Sequence, residues 1–276
     1  MEYAAQLDLV RSVGRTIRRG PYRVHVVRDP GLVWDDDEQR LLMEMVRGAA
    51  LRMFDDPTVG EYWDGRPDYL KKIDEWWVAE HDDALAGWSA CAILDGPTGP
   101  MIYMDTLGVL PEHRRSHLGA VLGQEPWFWL WRRRRRVPVL TLRTESPIIF
   151  RLVRRLGGRR HTYPRLAPDG TPEVTERVVA CARFTSQRLT GDKPMNAETL
   201  VVPGALEVGS LYGSEPPPCG APDVDAYFRA HLDLPGGDSV IMVVDNRLGL
   251  PAFMNATHWP VRATLRRKGL NAAAPR

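Results

Sequence analysis

The chain has 276 residues and a formal net charge of +2, from 37 basic and 35 acidic side chains. Its length buries a real core without covalent staples, and no apolar run approaches the ~18 residues of a membrane span, so a soluble protein is expected. Cys91, Cys181 and Cys219 show neither C-x-x-C nor Cys/His spacing, which argues against a metal site or a secreted disulfide framework and makes a reducing cytoplasm the expected compartment.

The first twenty residues carry charges throughout rather than a signal peptide's apolar centre. Their pattern predicts an amphipathic arm, with Leu7, Val10 and Val13 on one side and Arg11, Arg15, Arg18 and Arg19 around the rest, suited to packing or to a homodimer interface. Tyr22 to Arg28 alternates as an edge strand. Asp35, Asp36 and Asp37 then open a helix with the apolar rhythm Leu41, Met45, Ala49, Met53, where acidic residues complement the dipole. Residues 55–69 form a Pro/Gly/Asp loop carrying Tyr62, Trp63 and Tyr69. Ile73 to Glu80 and Ala84 to Leu94 read as strands around an Asp82-Asp83 turn, and Pro97 to Pro100 turns into a central strand, Met101 to Leu110. Trp76 and Trp77 point to opposite sides of their strand, one into the core and one toward a cleft.

Pro111 breaks the central strand and opens a helix expected to run to Arg136; a strand Val137 to Thr144 and a helix Ser146 to Gly157 follow. The first turn of the Pro111 helix gathers arginines and small residues where free N–H groups and the positive dipole end meet, so Arg114 to Ala120 is a candidate pyrophosphate site. Trp127, Phe128, Trp129 and Trp131 are too dense for one buried stripe, so some must meet another element or subunit. Beyond Gly158, Arg159 to Tyr163 reads as a short strand and Thr171-Pro172-Glu173 as a helix start. Glu198 to Val208 reads as extended, Pro216 to Pro218 as a loop, and Asp223 to Leu232 as a short helix; Asp238 to Asp245 is expected to close the sheet.

The stretch Leu107 to Ala120 resembles motif A of the GNAT superfamily, the acetyl-CoA-dependent N-acyltransferases, with the pattern [RQ]-x-x-G-x-[GA] after a strand. Arg114 takes the first place, His117 the fourth, where glycine is usual, and Gly119 the sixth. Ser146 to Gly158 resembles motif B, with Ser146 in place of its asparagine and Val153 in place of its tyrosine. The resemblance covers Tyr22 to Gly158 and the last hundred or so residues only loosely. It implies an α/β (α+β) fold with a mixed, mostly antiparallel, splayed sheet flanked by helices and an elaborated C-terminal region. The expected organisation is an arm at 1–20, a domain at 21–250 with a core at 21–165 and an insertion plus closing strand at 166–250, and an Arg-rich tail at 251–276.

The resemblance also implies a site. Main-chain groups of Leu107 and Val109 would hold the pantetheine arm of acetyl-CoA. Amides from Arg115 through Ser116, His117, Leu118 and Gly119 to Ala120, with the Arg114 side chain, would face its pyrophosphate. Transfer to an amine requires a base, for which Asp105 on the central strand is the first candidate, with Glu80 and Glu75 in reserve. Its structural alternative is a strand carboxylate satisfied by amides or an arginine. Val153 cannot return a proton to the thiolate, so Tyr163 is the substitute if the chain comes back to the cleft; otherwise water serves. Ser146 either bonds the pantetheine or caps its helix.

Arginines 132 to 136 with Arg151, Arg154, Arg155, Arg159 and Arg160 form a solvated face or a dock for an acyl-carrier protein; nucleic acid is not expected. Lysine occurs only at positions 71, 72, 193 and 268, and such an arginine bias with abundant Ala, Gly and Pro suggests a bacterial source. The leading reading is direct acetyl transfer from acetyl-CoA to a small-molecule amine. The alternatives are a longer acyl-CoA or carrier-protein thioester as donor, and a degenerate fold kept as a binding module.

Overall fold

The computed structural model describes residues 3–54, 56, 58–134, 139–212 and 218–245. Eleven strands are formed among the described residues: β1 (Arg15–Arg19), β2 (Tyr22–Arg28), β3 (Glu75–His81), β4 (Ala84–Gly96), β5 (Gly99–Val109), β6 (Val139–Thr144), β7 (Thr162–Tyr163), β8 (Arg165–Leu166), β9 (Pro172–Glu173), β10 (Val201–Val202) and β11 (Ser239–Val244). Eight α-helices accompany them among the described residues: α1 (Ala4–Val13), α2 (Pro30–Val33), α3 (Asp36–Leu51), α4 (Thr58–Asp64), α5 (Leu118–Arg134), α6 (Pro147–Gly157), α7 (Glu176–Thr190) and α8 (Pro222–His231). The main sheet runs β1-β2-β3-β4-β5-β6-β11-β10, with β7 also on β11, while β8 and β9 pair separately. Among the described residues every pairing is antiparallel except β5 with β6. The fold is therefore the mixed, mostly antiparallel α/β architecture expected.

Local chemistry accounts for the first half. Asp35 caps α3, its carboxylate accepting from the N–H groups of Asp37 and Glu38 while the Glu38 carboxylate accepts from Asp35 N–H. Asp82 and Asp83 both take left-handed conformations, φ 49° and 61°, as a two-residue hairpin between twisted strands requires. Leu42, Met45, Val46 and Ala49 of α3 pack with Leu7, Val10, Trp34 and Trp76 on one side of the sheet. Leu118 and Leu122 of α5 pack with Tyr22, Val24 and Trp77 on the other.

Several expectations are corrected. The arm is half helix and half strand: Gly14 ends α1, and Arg15–Arg19 pairs with β2, so 4–19 belongs to the core and sheet. Trp76 and Trp77 are both fully buried, in different clusters, and neither lines the β5–β6 cleft. The Pro111 helix is a single 3-10 turn, Pro111–His113; α5 starts only at Leu118. The helix expected at Thr171 starts at Glu176, because Thr175 caps it by accepting from Val178 N–H at 3.4 Å and Pro172 sits in β9. The strand expected to close the sheet lies inside it, β11 taking β6 on one edge and β10 and β7 on the other. Only Val201–Val202 of the extended stretch after Glu198 forms a strand. Arg135 and Arg136, Pro216 and Pro217, and the tail at 251–276 lie outside the described residues.

Candidate active site

The parallel pair β5–β6 runs in register from Met101 opposite Val139 to Met104 opposite Leu142 and then parts. β5 continues to Val109 on β4, so its main chain from Asp105 onward presents an open edge toward β6. At the parting point the β4–β5 register shifts, Cys91 facing Met104 and Ala90 facing Thr106, which leaves Asp105 as an extra residue in a bulge. A cavity occupies the opening. Its walls are Asp105, Thr106 and Leu107 of β5, Arg143 to Glu145 at the end of β6, Phe54, Tyr62 and Trp63 around α4, and Leu206, Leu211 and Tyr212 from the C-terminal region.

The charges inside are paired unequally. Asp105 faces the Arg66 guanidinium at 3.5 Å, and that guanidinium stacks over the Tyr62 ring at 4.2 Å. Tyr69 and Thr106 share a hydroxyl contact of 2.6 Å beside them. Glu145 is 4% exposed; Leu211 N–H donates to its Oε1 at 2.8 Å, whereas its Oε2 is buried without a hydrogen-bond partner. Burial pushes the Glu145 carboxyl up to about 7, against the opposing effect of the Leu211 and Ser210 hydrogen bonds and of Arg143. Trp88 Nε1 and Ser239 Oγ, whose side chains belong to the same walls, are likewise buried and unpartnered. Three orphaned polar atoms around one cavity mark it as the place for a polar guest. The Tyr212 ring packs edge-on against Phe54 at 5.2 Å, and its hydroxyl sits against the Ser146 side chain; burial raises that hydroxyl's pKa, so it stays protonated at neutral pH.

Among the sequence candidates, Asp105 and Leu107 line the cavity, and Asp105 is the arginine-satisfied carboxylate of the structural alternative. Glu80 does not reach it. Its side chain is fully buried in a network with Arg11 at 2.7 Å, Arg23 and His25, on the far side of β3 from the opening. Burial alone would raise its carboxyl, but the hydrogen bonds from Arg11, His25 and Arg23 outweigh that and hold it below the usual range. Glu75 is also remote, paired with Arg133 at 3.2 Å and Trp77 Nε1 at 3.2 Å. Tyr163 is not in the cleft: β7 lies against β11, and the Tyr163 hydroxyl accepts from Arg165. Ser146 caps α6, accepting from Ile149 N–H at 3.4 Å.

The motif A turn leaves Val109 for the 3-10 turn, passes through Arg115 and His117 with left-handed φ of 63° and 69°, and enters α5 at Leu118. Ser116 Oγ reaches the Leu118 N–H at 3.4 Å, and the His117 carbonyl accepts from Ala120 and Val121. Arg114 turns its guanidinium to the Met53 carbonyl at 3.0 Å rather than over the turn, and Arg115 is exposed. A Cβ at Gly119 would meet only the Val109 and Leu107 side chains, at 3.7 and 3.9 Å, so protein packing does not require glycine there.

Residues 42–125, from α3 into α5, match the sequence model of the Acetyltransferase (GNAT) family. That stretch is similar to a GNAT acetyltransferase domain. No curated protein matches the sequence. Similar solved structures include Arabidopsis thaliana Naa50 in complex with the bisubstrate analogue CoA-Ac-MVNAL, at 15% identity, 57% of this chain, 93% of that one and a TM-score of 0.35. A GCN5-related N-acetyltransferase from Ralstonia eutropha is 19% identical over 44% of this chain and 82% of its own, with a TM-score of 0.31. The PaiA N-acetyltransferase from Thermoplasma acidophilum, in complex with coenzyme A, is 12% identical over 44% and 79%, also with a TM-score of 0.31.

Sequence reasoning missed Glu145, Arg66 and Tyr212. Glu145 carried a usable signal, since it stands at the carboxyl end of a parallel strand, immediately before the helix cap, where open α/β sheets bind ligands. Tyr212 carried none, because it reaches the cavity from a segment with no regular structure.

Proposed function

We propose that the chain is a cytoplasmic N-acetyltransferase that moves an acetyl group from acetyl-CoA directly to a small-molecule amine. The observation that carries this reading is the parting of β5 from β6 at Met104 and Leu142 over a cavity with orphaned polar atoms in its walls. Acetyl-CoA supplies an activated acyl carbon and a thiolate leaving group. The open β5 edge at Leu107 and Val109 would bond the pantetheine amides as an added strand would, and the amides of the turn from Arg115 to Gly119 would take the pyrophosphate at the start of α5, the Ala120 N–H being already bonded to the His117 carbonyl. Tyr212, whose hydroxyl meets the Ser146 side chain, would border the arm on the α6 side, and Tyr62, Trp63 and the Asp105–Arg66 pair would form the acceptor side. Two carboxylates, Asp105 and Glu145, line the cavity where the reaction needs a proton acceptor.

Calorimetry with acetyl-CoA tests the reading, using Gly119→Glu as the site variant. The fold tolerates a Cβ there, so the melting temperature should hold while a carboxylate at the start of α5 repels phosphate and abolishes binding. Unchanged affinity in that variant removes the site assignment, and no binding by the wild type removes the function.

A further inference from the structure

We infer that Glu145, rather than Asp105, is the group that takes the proton from the attacking amine, directly or through one water; this rests on the acetyl-transfer reading above. Glu145 is built as a base should be. One oxygen is fixed by the Leu211 N–H, and the other is buried with no donor, so it lacks the partner that an incoming N–H supplies. Asp105, by contrast, already has the Arg66 guanidinium as its partner at 3.5 Å, so it is not left waiting for a donor. Glu80 and Glu75 are engaged by arginines elsewhere.

The surroundings suit the task. Charged and titratable groups around Glu145 are Arg143 near the end of β6, Asp56 before α4, Tyr212 from the C-terminal wall and Asp105 across the cavity, with the Ser210 hydroxyl as a hydrogen-bonding neighbour. Arg143 favours the carboxylate and Asp56 disfavours it, while burial dominates both and sets the carboxyl at about 7. A group titrating there is half ionised at neutral pH and still basic enough to accept a proton. In the step, the amine nitrogen gives one proton to Glu145 and its lone pair forms a C–N bond to the thioester carbonyl carbon. The C–S bond breaks with its electrons on sulfur, and the thiolate takes a proton from water. The products are an amide and a free thiol, and Glu145 returns its proton to solvent.

Glu145→Gln tests this, because the amide keeps the acceptor for Leu211 N–H and loses only the base. Tyramine, spermidine and an alanyl peptide serve as trial acceptors, with thiol release from acetyl-CoA followed by a thiol reagent. The expected result is acetyl-CoA affinity within about twofold of wild type, turnover lowered by about 10²–10⁴-fold, and loss of the acidic limb of the rate, at the same midpoint for amines of different pKa. Asp105→Asn is expected to raise the KM for the amine and to keep that limb. Wild-type turnover in Glu145→Gln overturns the inference while acetyl-CoA binding leaves the functional reading intact. Thiol release by the wild type with none of the amines overturns both. Should Glu145→Gln fail to fold, Glu145→Asp, which withdraws the carboxylate by one methylene, must still lower turnover. Infrared titration of the wild type adds a readout independent of the acceptor: a Glu145 carboxyl band that ionises below about pH 5, near the reference range, overturns the inference.

Discussion

His117 carries two consequences of one backbone angle. Its φ of 69° is one that a residue with a Cβ adopts at a cost of roughly 1–2 kcal/mol, and it stands where the GNAT pattern has glycine. Glycine would remove that strain but lose more freedom on folding, a penalty of about 0.5–1 kcal/mol. His117→Gly should therefore be as stable as the wild type or up to about 1.5 kcal/mol more stable, and should bind acetyl-CoA equally or more tightly because phosphate can approach the main chain. Thermal melts and calorimetry check both halves. A large loss of affinity would show that the imidazole itself touches the ligand. The glycine pattern made this residue legible from sequence as a departure; the left-handed backbone explains why glycine is the residue such a turn favours. Glu145 was not legible in the same way, because nothing in the order of residues reveals that one of its oxygens lacks a donor.

At the scale of the element, α5 shows how a sequence defect is absorbed by a neighbour. Pro126 lies inside the helix and cannot donate to the Leu122 carbonyl four residues earlier. The fully buried Ser89 of β4 donates its hydroxyl to that carbonyl at 2.9 Å. Ser89→Ala should leave the carbonyl unsatisfied and lower stability by about 1–3 kcal/mol in urea denaturation. Adding Pro126→Ala returns the missing N–H, so the double variant should recover much of the loss; no recovery would mean that Ser89 acts through packing instead. The antiparallel strands β2 to β5 were readable because each apolar run ends at a turn signal such as Asp82-Asp83. The start of α5 was not, since Pro111 suits a 3-10 turn as well as an α-helix and only the backbone at Arg115 and His117 separates them. The helix cap at Thr175 and the place of β11 between β6 and β10 depend on pairings with distant residues, which local patterns do not encode.

For the whole molecule, two buried glutamates tie stability to pH with opposite sign. Glu80 is held below the usual range, so its contribution is present above its unfolded pKa and is lost as pH falls through the depressed folded value. It anchors α1 and the β2–β3 pair through Arg11 and Arg23, so acid should loosen the N-terminal half first. Glu145 is raised to about 7, so the folded state binds the extra proton and stability declines as pH rises from the unfolded carboxylate range through 7. The full penalty above that range is on the order of 3 kcal/mol. Glu145→Gln cannot ionise, so its stability in urea should exceed that of the wild type at pH 8 and approach it near pH 5. A parallel dependence in the two proteins would show that Glu145 titrates normally. A carboxylate that weakens the fold at working pH, and whose removal both stabilises the protein and slows the reaction, is what a site residue held for chemistry should look like. A purely structural glutamate at the end of β6 would fail that test, since losing it would lower stability at every pH.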